Sequence, residues 1–352
     1  MVSIENIISI YENEIKVNVR NKKRIYEFEK NKMIYIIYIY NILNTNSYDG
    51  GKYNIFLIKE PKVRLIMSEN IIDKIINHYV SRYILEVKLT KYLKDFNVAT
   101  RKNMGLDYGI KLLKRNIERN KKYNKFYFLK LDISKYFYNI DHNVLKELLI
   151  DKLKDNEYEL ICKIIDSTNN KYINEYINKV KDKYNDIIYY EYGKGLPIGN
   201  MTSQFLAIFY LYKLHHYIVN NLHIKDIVVY MDDYLLIHHD RKYLEYVKEE
   251  IITILSKKYY LEINKNKTCI KSNKEGVSFL GYTFKVINNK TIITINKASL
   301  VKMKKKVKNI RYLYDNNKID FKNAFTSINV IKNSFKYANN IKIKNIIDKY
   351  WY

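Results

Sequence analysis

The run Ile227-Val228-Val229-Tyr230-Met231-Asp232-Asp233-Tyr234-Leu235-Leu236-Ile237 sets two adjacent carboxylates between stretches of apolar β-formers. This arrangement predicts two short strands joined by a turn that carries both acids. Neighbouring carboxylates repel, and burying them without a partner is costly. The residues leave two readings open. The pair is a water-exposed hairpin turn, or a cation holds it, for which carboxylate oxygens suit Mg²⁺ or Mn²⁺.

Working outward, the 352 residues allow one large or two to three modest domains with a real core. Lys and Arg total 63 against 37 Asp and Glu, a net charge of +26, and a polyanion is the usual partner of such an excess. The 37 tyrosines among many lysines suit nucleic acid as well, because rings stack on bases while ammonium groups meet phosphates. AT-rich codons favour Tyr, Ile, Asn and Lys too, so composition alone does not separate function from genome bias. The longest apolar stretch, Met33 to Leu43, is about half the roughly 20 residues of a membrane span, and no secretory leader is evident. Cys162 and Cys269 make neither a disulfide framework nor a zinc pattern. A soluble, cytoplasmic protein with no membrane partner is the expectation.

The element order predicts an α+β chain rather than a βαβ repeat. Residues 1 to 45 read as helical. Tyr53 to Ile58 and Val63 to Met67 flank Lys59-Glu60-Pro61-Lys62 as a hairpin with a basic tip. A helical stretch capped by Ser68 runs to Tyr92, and the basic loop Ala99 to Gly105 precedes a helix from Tyr108 to Arg119. Phe126 to Ile133 is an apolar strand that holds Asp132. Helices follow from His142 and from Glu157; Asn169 to Asp186 reads as an aperiodic insertion, and Thr202 to Asn221 as one apolar helix. Strand pieces at Leu261 to Ile263 and Val277 to Phe284 lead to basic helices after Asn296, with lysines at 302, 304, 305, 306 and 308. His215-His216 and His238-His239 have no Cys or acid at ligand spacing and read as packing or surface residues. A sheet joining Asp132 to the Asp232-Asp233 turn would gather three carboxylates, enough for two divalent ions that activate a 3′-hydroxyl and steady a phosphate.

Five stretches in order resemble the motifs of reverse transcriptases over roughly residues 53 to 340. They are Leu131-Asp132-Ile133-Ser134-Lys135-Tyr136-Phe137 with Ile140-Asp141-His142; Gly195-Leu196-Pro197-Ile198-Gly199-Asn200-Met201-Thr202-Ser203-Gln204; Tyr230-Met231-Asp232-Asp233; Asn266-Lys267-Thr268; and Phe279-Leu280-Gly281-Tyr282. The resemblance is to bacterial members, of group II intron-like, diversity-generating or defence-associated type. It implies a right-hand polymerase with N-terminal helices and fingers over 1–125, a palm with an antiparallel sheet over 126–290 (a fingers-side insertion near 150–195), and a small helical thumb over 291–352. It implies RNA-directed DNA synthesis of the diversity-generating type with two Mg²⁺ ions (Mn²⁺ the alternative), dNTPs, an RNA template and a nucleic-acid or protein primer, with phage defence by protein-primed or untemplated DNA synthesis as the alternative. An accessory protein or structured noncoding RNA is a further implied partner.

Residue by residue, the resemblance makes Asp132, Asp232 and Asp233 the catalytic acids and, with the Ile133 carbonyl, the metal ligands. Lys62, Arg64, Phe137, Ile198, Gly199, Gln204 and Lys267 take nucleotide-side roles. Phe137 stands at the steric gate against a ribose 2′-hydroxyl, and Lys267 assists proton delivery to pyrophosphate. Arg101, Phe279, Leu280, Gly281 and Tyr282 take template and primer roles, the last four as the primer grip. Structural alternatives stand beside several of these: core packing for Phe137, a mobile charged loop for Lys62, a surface lysine for Lys267. A scaffold that binds RNA on a dead polymerase fold is the non-enzymatic alternative, and the presence of all three acids argues against it.

Departures narrow the resemblance. Retroviral and intron members carry Gln where Ile198 stands, and intron enzymes carry Pro where Gln204 stands; the form here resembles diversity-generating enzymes, and some defence-associated ones. The glycine usual in the thumb's Ser-aromatic-x-Gly run is Tyr337 here. With the chain ending at Tyr352, no RNase H or endonuclease segment is expected. Ile at 198 removes a polar contact near the nucleotide, so lowered fidelity or processivity is the expectation. Ile198→Gln is predicted to reduce misincorporation on a defined RNA template; an unchanged error spectrum in sequenced cDNA refutes this.

Overall fold

The computed structural model describes residues 2–59, 63–184, 187–338 and 341–351, and the chain forms two compact units that interleave along the sequence. The first comprises Met1–Lys102, Ile133–His223 and Glu249–Asn264; the second comprises Asn103–Asp132, Ile224–Lys248 and Lys265–Tyr352.

In the first unit, helices Ile4–Ile10, Lys22–Lys30 and Lys32–Thr45 precede a hairpin of β1 (Tyr53–Ile58) and β2 (Arg64–Glu69). The hairpin is antiparallel, with Tyr53 opposite Glu69 and Ile58 opposite Arg64. Lys62 falls outside the described residues. Helix Ile71–Tyr79 then starts with Asn70, not Ser68, as its cap: the Asn70 side chain accepts from the Asp73 amide at 2.8 Å. Ser68 cannot serve, because it is still paired within β2, opposite Asn54.

Two further expectations fail in this unit for physical reasons. The stretch read as an aperiodic insertion contains helix Lys171–Val180. Its apolar residues Tyr172, Ile173, Tyr176 and Ile177 recur at helical spacing and pack with Tyr53, Leu65 and Met67 of the hairpin. Lysines and asparagines between them mask the period. The apolar helix after Asn200 is two helices, Met201–Tyr210 and Tyr212–Asn220, broken at Leu211.

The second unit is built on a four-stranded antiparallel sheet. Its strands are β3 (Tyr127–Asp132), β4 (Asp226–Tyr230), β5 (Asp233–His238) and β6 (Cys269–Ser272), in spatial order β4-β5-β3-β6. Phe128, Leu129, Leu131, Ile227, Val228, Val229, Leu235 and Leu236 are all buried. Unbroken burial explains why these strands read as continuous apolar runs instead of alternating ones. Helix Leu106–Asn120 packs against this sheet; Asn116 Nδ2 donates to the Ile227 carbonyl, and Arg119 and Asn120 both bind Asp226. A second sheet orders β7 (Val277–Phe279), β8 (Tyr282–Ile287) and β9 (Lys290–Ile295), followed by helices Lys297–Asp315, Phe321–Asn333 and Ile341–Tyr350. The piece expected to run unbroken from Val277 to Phe284 turns at Leu280-Gly281. Both residues have positive φ, 49° and 85°, as a two-residue hairpin turn of this hand requires. Among the described residues no helix is long and apolar enough to cross a membrane.

Glu69 closes β2 with its side chain buried and Oε1 without a hydrogen-bond partner. Burial holds its carboxyl well above the usual carboxylate range; the Lys74 charge opposes the shift and the Asp73 charge adds to it. The folded state therefore retains a proton that the unfolded chain gives up above about pH 4.3. The associated stability is complete below that value and is lost as pH rises through the raised native value. Glu69→Gln should flatten this fall and raise stability at pH 7 by about 1–3 kcal/mol. Urea midpoints at pH 5 and pH 8 check it: a variant as pH-sensitive as the parent refutes the assignment.

Candidate active site

The acids converge through strand register. β3 and β5 are adjacent and antiparallel, with Asp132 the cross-strand partner of Asp233, while Tyr230 opposite Asp233 leaves Met231 and Asp232 as the hairpin loop. Met231 takes a left-handed φ of 56° in that loop. Like charges on directly opposed residues destabilise a sheet, so the neighbours of these acids matter.

Two lysines answer them. Lys267 Nζ lies 2.7 Å and 3.0 Å from the two oxygens of Asp132, which is itself buried. Lys130, two residues before Asp132 and so on the same face of β3, lies 3.7 Å from Asp233 Oδ1 and donates to the Ser278 carbonyl at 3.1 Å. Burial pushes the Asp232 carboxyl up to about 6, reinforced by the charge of Asp233. Burial also raises Asp233, with Lys130 pulling the other way. Burial lowers Lys267, but its bond to Asp132 outweighs that and holds the ammonium above its ordinary value.

The donor chemistry fits a hard divalent cation: all the acids offer oxygen, and Asp233 Oδ1 is buried without a hydrogen-bond partner. Among the described residues no three His, Cys, Asp or Glu side chains form a group able to hold a metal ion; Asp132 is engaged by Lys267 instead.

The remaining sequence-derived residues divide by unit. In the second, Phe279 and Tyr282 are buried and face each other across β7 and β8, with Leu280 and Gly281 as the turn. Tyr282 donates to the Ser334 carbonyl at 3.2 Å and meets the rings of Phe335 and Tyr337 edge-on, so the run that lacks its glycine packs on this hairpin.

In the first unit, Ile133 is buried and bridges to Ile263. Arg64 is exposed on β2. Phe137 and Gln204 are half-buried, and the Phe137 ring meets Tyr136 at 6.0 Å. The Ile198 carbonyl accepts from the Met67 amide at 2.9 Å, which docks the loop on β2. Gly199 is required there: its φ is 133°, and a Cβ would lie 2.6 Å from the Met67 carbonyl oxygen. Arg101 spends its guanidinium on the Lys94 and Asn97 carbonyls, at 2.8 Å and 3.2 Å, and its side chain is only 10% exposed. That geometry ties Arg101 to the turn Lys94 to Asn97.

Lys130 received no role from the sequence. Its signal was available, since strand alternation puts residues i and i+2 on one face.

The profile of the reverse transcriptase (RNA-dependent DNA polymerase) family matches residues 58–284. A COX1/OXI3 intron 2 protein of Saccharomyces cerevisiae is 26% identical over 219 residues, which cover 46% of this chain and 24% of that protein. Apo telomerase from Candida tropicalis superposes with a TM-score of 0.50 at 14% identity, over 86% of this chain and 56% of that one. Telomerase from Candida albicans in complex with a telomeric RNA fragment gives 0.48 at 13% identity, over 86% and 55%. The chain thus spans about a quarter of the curated relative and little over half of the solved ones. The 0.50 likeness shows a shared fold, consistent with the α+β, right-hand polymerase class expected from the sequence.

Half-buried, mutually repelling carboxylates cost stability. Asp232→Asn should stabilise the chain without divalent metal by about 1–3 kcal/mol at pH 7. Urea unfolding in the presence of a chelator measures it, and a lower midpoint for the variant contradicts the repulsion argument.

Proposed function

The chain belongs to the reverse transcriptase family, whose members are nucleotidyltransferases that use divalent metal ions, and we propose that it is an RNA-directed DNA polymerase extending a primer 3′ end. The observation that carries the proposal is the cross-strand pairing of Asp132 with Asp233, with Asp232 in the adjoining turn. In the reaction the primer 3′-oxygen bonds to the α-phosphorus of a dNTP, the bond to pyrophosphate breaks, and the hydroxyl proton is lost. Asp132, Asp232 and Asp233 would hold two Mg²⁺ ions, with the Ile133 carbonyl as a further ligand. Bound there, such ions supply charge neutralisation and a more acidic 3′-hydroxyl.

The chain's own groups complete the reading. Lys267, an ammonium strengthened by Asp132, is the proposed proton holder for the departing pyrophosphate. Lys130 restrains Asp233 while tying β3 to β7 through the Ser278 carbonyl. On the first unit, Arg64, Phe137 and the segment Ile198 to Gln204 are the proposed nucleotide-facing elements, Phe137 as the sugar gate; Lys62 joins them from the resemblance alone. Phe279 to Tyr282 is the proposed primer grip. The RNA template, primer and any accessory partner belong to the same proposal.

Within the family, Ile198 with Gln204 supports a diversity-generating type of enzyme. The similarity to a yeast intron protein favours a second reading, an intron-related role. Low-fidelity copying of unrelated RNA supports the first, and a preference for one structured intron RNA the second.

Primer extension with purified protein, comparing RNA, DNA and no template, tests the activity. Extension on RNA with dNTPs is expected, and Asp232→Ala/Asp233→Ala should reduce it by about 10²–10³-fold or more. Residual synthesis at the parental rate in the double variant defeats the acid-site assignment.

A further inference from the structure

We propose that His142 is a positioning residue, a two-way imidazole pin that holds the turn Gly193 to Gly199 against the backbone of Phe137 and so sets nucleotide affinity and sugar selectivity. The proposal deepens the polymerase reading and rests on its assignment of Phe137 and Ile198 to the nucleotide side.

His142 opens helix His142–Leu149, whose cap is the Asp141 side chain accepting from the Val144 amide at 3.0 Å. The imidazole is almost wholly enclosed; its residue is 1% exposed. Nε2 lies 2.7 Å from the Gly195 carbonyl, and Nδ1 lies 3.2 Å from Asp166 Oδ1. The Gly195 carbonyl can only accept, so Nε2 donates to it, while Nδ1 faces the Asp166 carboxylate. Lys146 Nζ meets the two Asp166 oxygens at 2.7 Å and 2.6 Å. Burial raises the Asp166 carboxyl, but the bonds from His142 and Lys146 outweigh it and keep the group below its ordinary value. Thr168 Oγ1 adds a second donor to the Gly195 carbonyl at 3.0 Å.

Backbone bonds extend the pin toward the proposed sugar gate. The His142 amide donates to the Gly193 carbonyl at 2.9 Å, Gly195 to Ile140 at 2.8 Å, and Leu196 to Phe137 at 2.8 Å. Lys194 bridges to Asp141. Beyond Leu196 the same segment docks Ile198 on Met67 of β2. The backbone of Phe137 and the Ile198 loop are therefore fixed relative to each other through a segment that side chains anchor at the Gly195 carbonyl, by His142 and Thr168, at the Leu196 carbonyl, by the Tyr190 hydroxyl, and at the Gly193 amide, by Asn169. A residue with one donor holds only one of the two partners. An apolar residue holds neither.

The test compares His142→Leu, His142→Gln and Asp166→Asn in the full chain, with thermal unfolding to verify folding. For His142→Leu the expected result is a KM for dNTP raised about tenfold, the scale of one lost charge-assisted hydrogen bond. Its kcat should change less than about threefold, and its discrimination against rNTPs should fall. His142→Gln should recover part of both effects, and Asp166→Asn should shift them in the same direction by less. A purely structural role would not separate KM from kcat or move sugar selectivity. Hydrogen exchange over residues 191–199 without nucleotide provides a readout independent of activity, expected to be about tenfold faster in His142→Leu. Unchanged exchange, KM and selectivity in His142→Leu overturn the proposal, as does parental behaviour of Asp166→Asn if the leucine variant does not fold. Failure of the parent to extend any primer counts against the polymerase reading, while exchange still judges the pin.

Discussion

Antiparallel pairing of β3 with β5 puts Asp132 and Asp233 directly opposite each other, and much of the second unit answers to that one placement. A sheet tolerates opposed like charges only when something nearby offsets them. Here the offset comes in two parts. Lys267 takes Asp132 in a two-oxygen contact, and Lys130 approaches Asp233 from the same face of β3 as Asp132. Most other residues of β3, β4 and β5 are apolar and buried, so these strands form the core of the sheet. Stability is thus concentrated in the strands, and the electrostatic cost is concentrated at their ends.

The first unit solves a different problem, that of fixing a loop without regular structure around it. The segment from Gly193 to Asn200 forms no strand, yet its backbone is bonded to Phe137, Ile140, His142 and Met67. Its polar side chains continue inward. Asn200 donates to the Tyr53 hydroxyl at 3.0 Å, and Thr202 donates to Asn77 at 2.6 Å. Such buried bonds favour one geometry, because losing them leaves a donor or acceptor unpaired; Asn200 Oδ1 has no hydrogen-bond partner even here. Helix Lys171–Val180 backs the same region from behind the hairpin with Ile173 and Ile177.

What the sequence disclosed follows from the range of the interactions involved. The hairpin around Asp232 and the strand ending at Asp132 were legible because short apolar runs and turn residues are local signals, whereas the turn at Leu280-Gly281 was hidden inside a run read as one strand. Their pairing order joins strands far apart in the chain and was not legible in local patterns. The helix at Lys171 was hidden by intervening lysines and asparagines, although its tyrosines and isoleucines kept the period. The cap at Asn70 was misread because β2 extends two residues beyond the apolar run that predicted it, through Ser68 to Glu69. Ion-pair geometry lay further out of reach: Lys130 and Lys267 look alike in sequence, and their partners depend on which strands are neighbours.

Arg101 and Lys267 show why residue type and motif position do not by themselves define a site. Both are basic and both took roles from the resemblance, Lys267 from one of the motif stretches and Arg101 from the basic loop Ala99 to Gly105. Arg101 offers a planar fork of donors, and two backbone carbonyls of its own turn take them. Lys267 has a half-exposed stem and a single ammonium, which reaches a buried carboxylate across the sheet. Removing the first should loosen a turn; removing the second leaves Asp132 buried without its closest counter-charge. The distinction is one of partners rather than of charge. By that standard His142 belongs with Lys267, since its buried ring spends both nitrogens on groups outside its own helix.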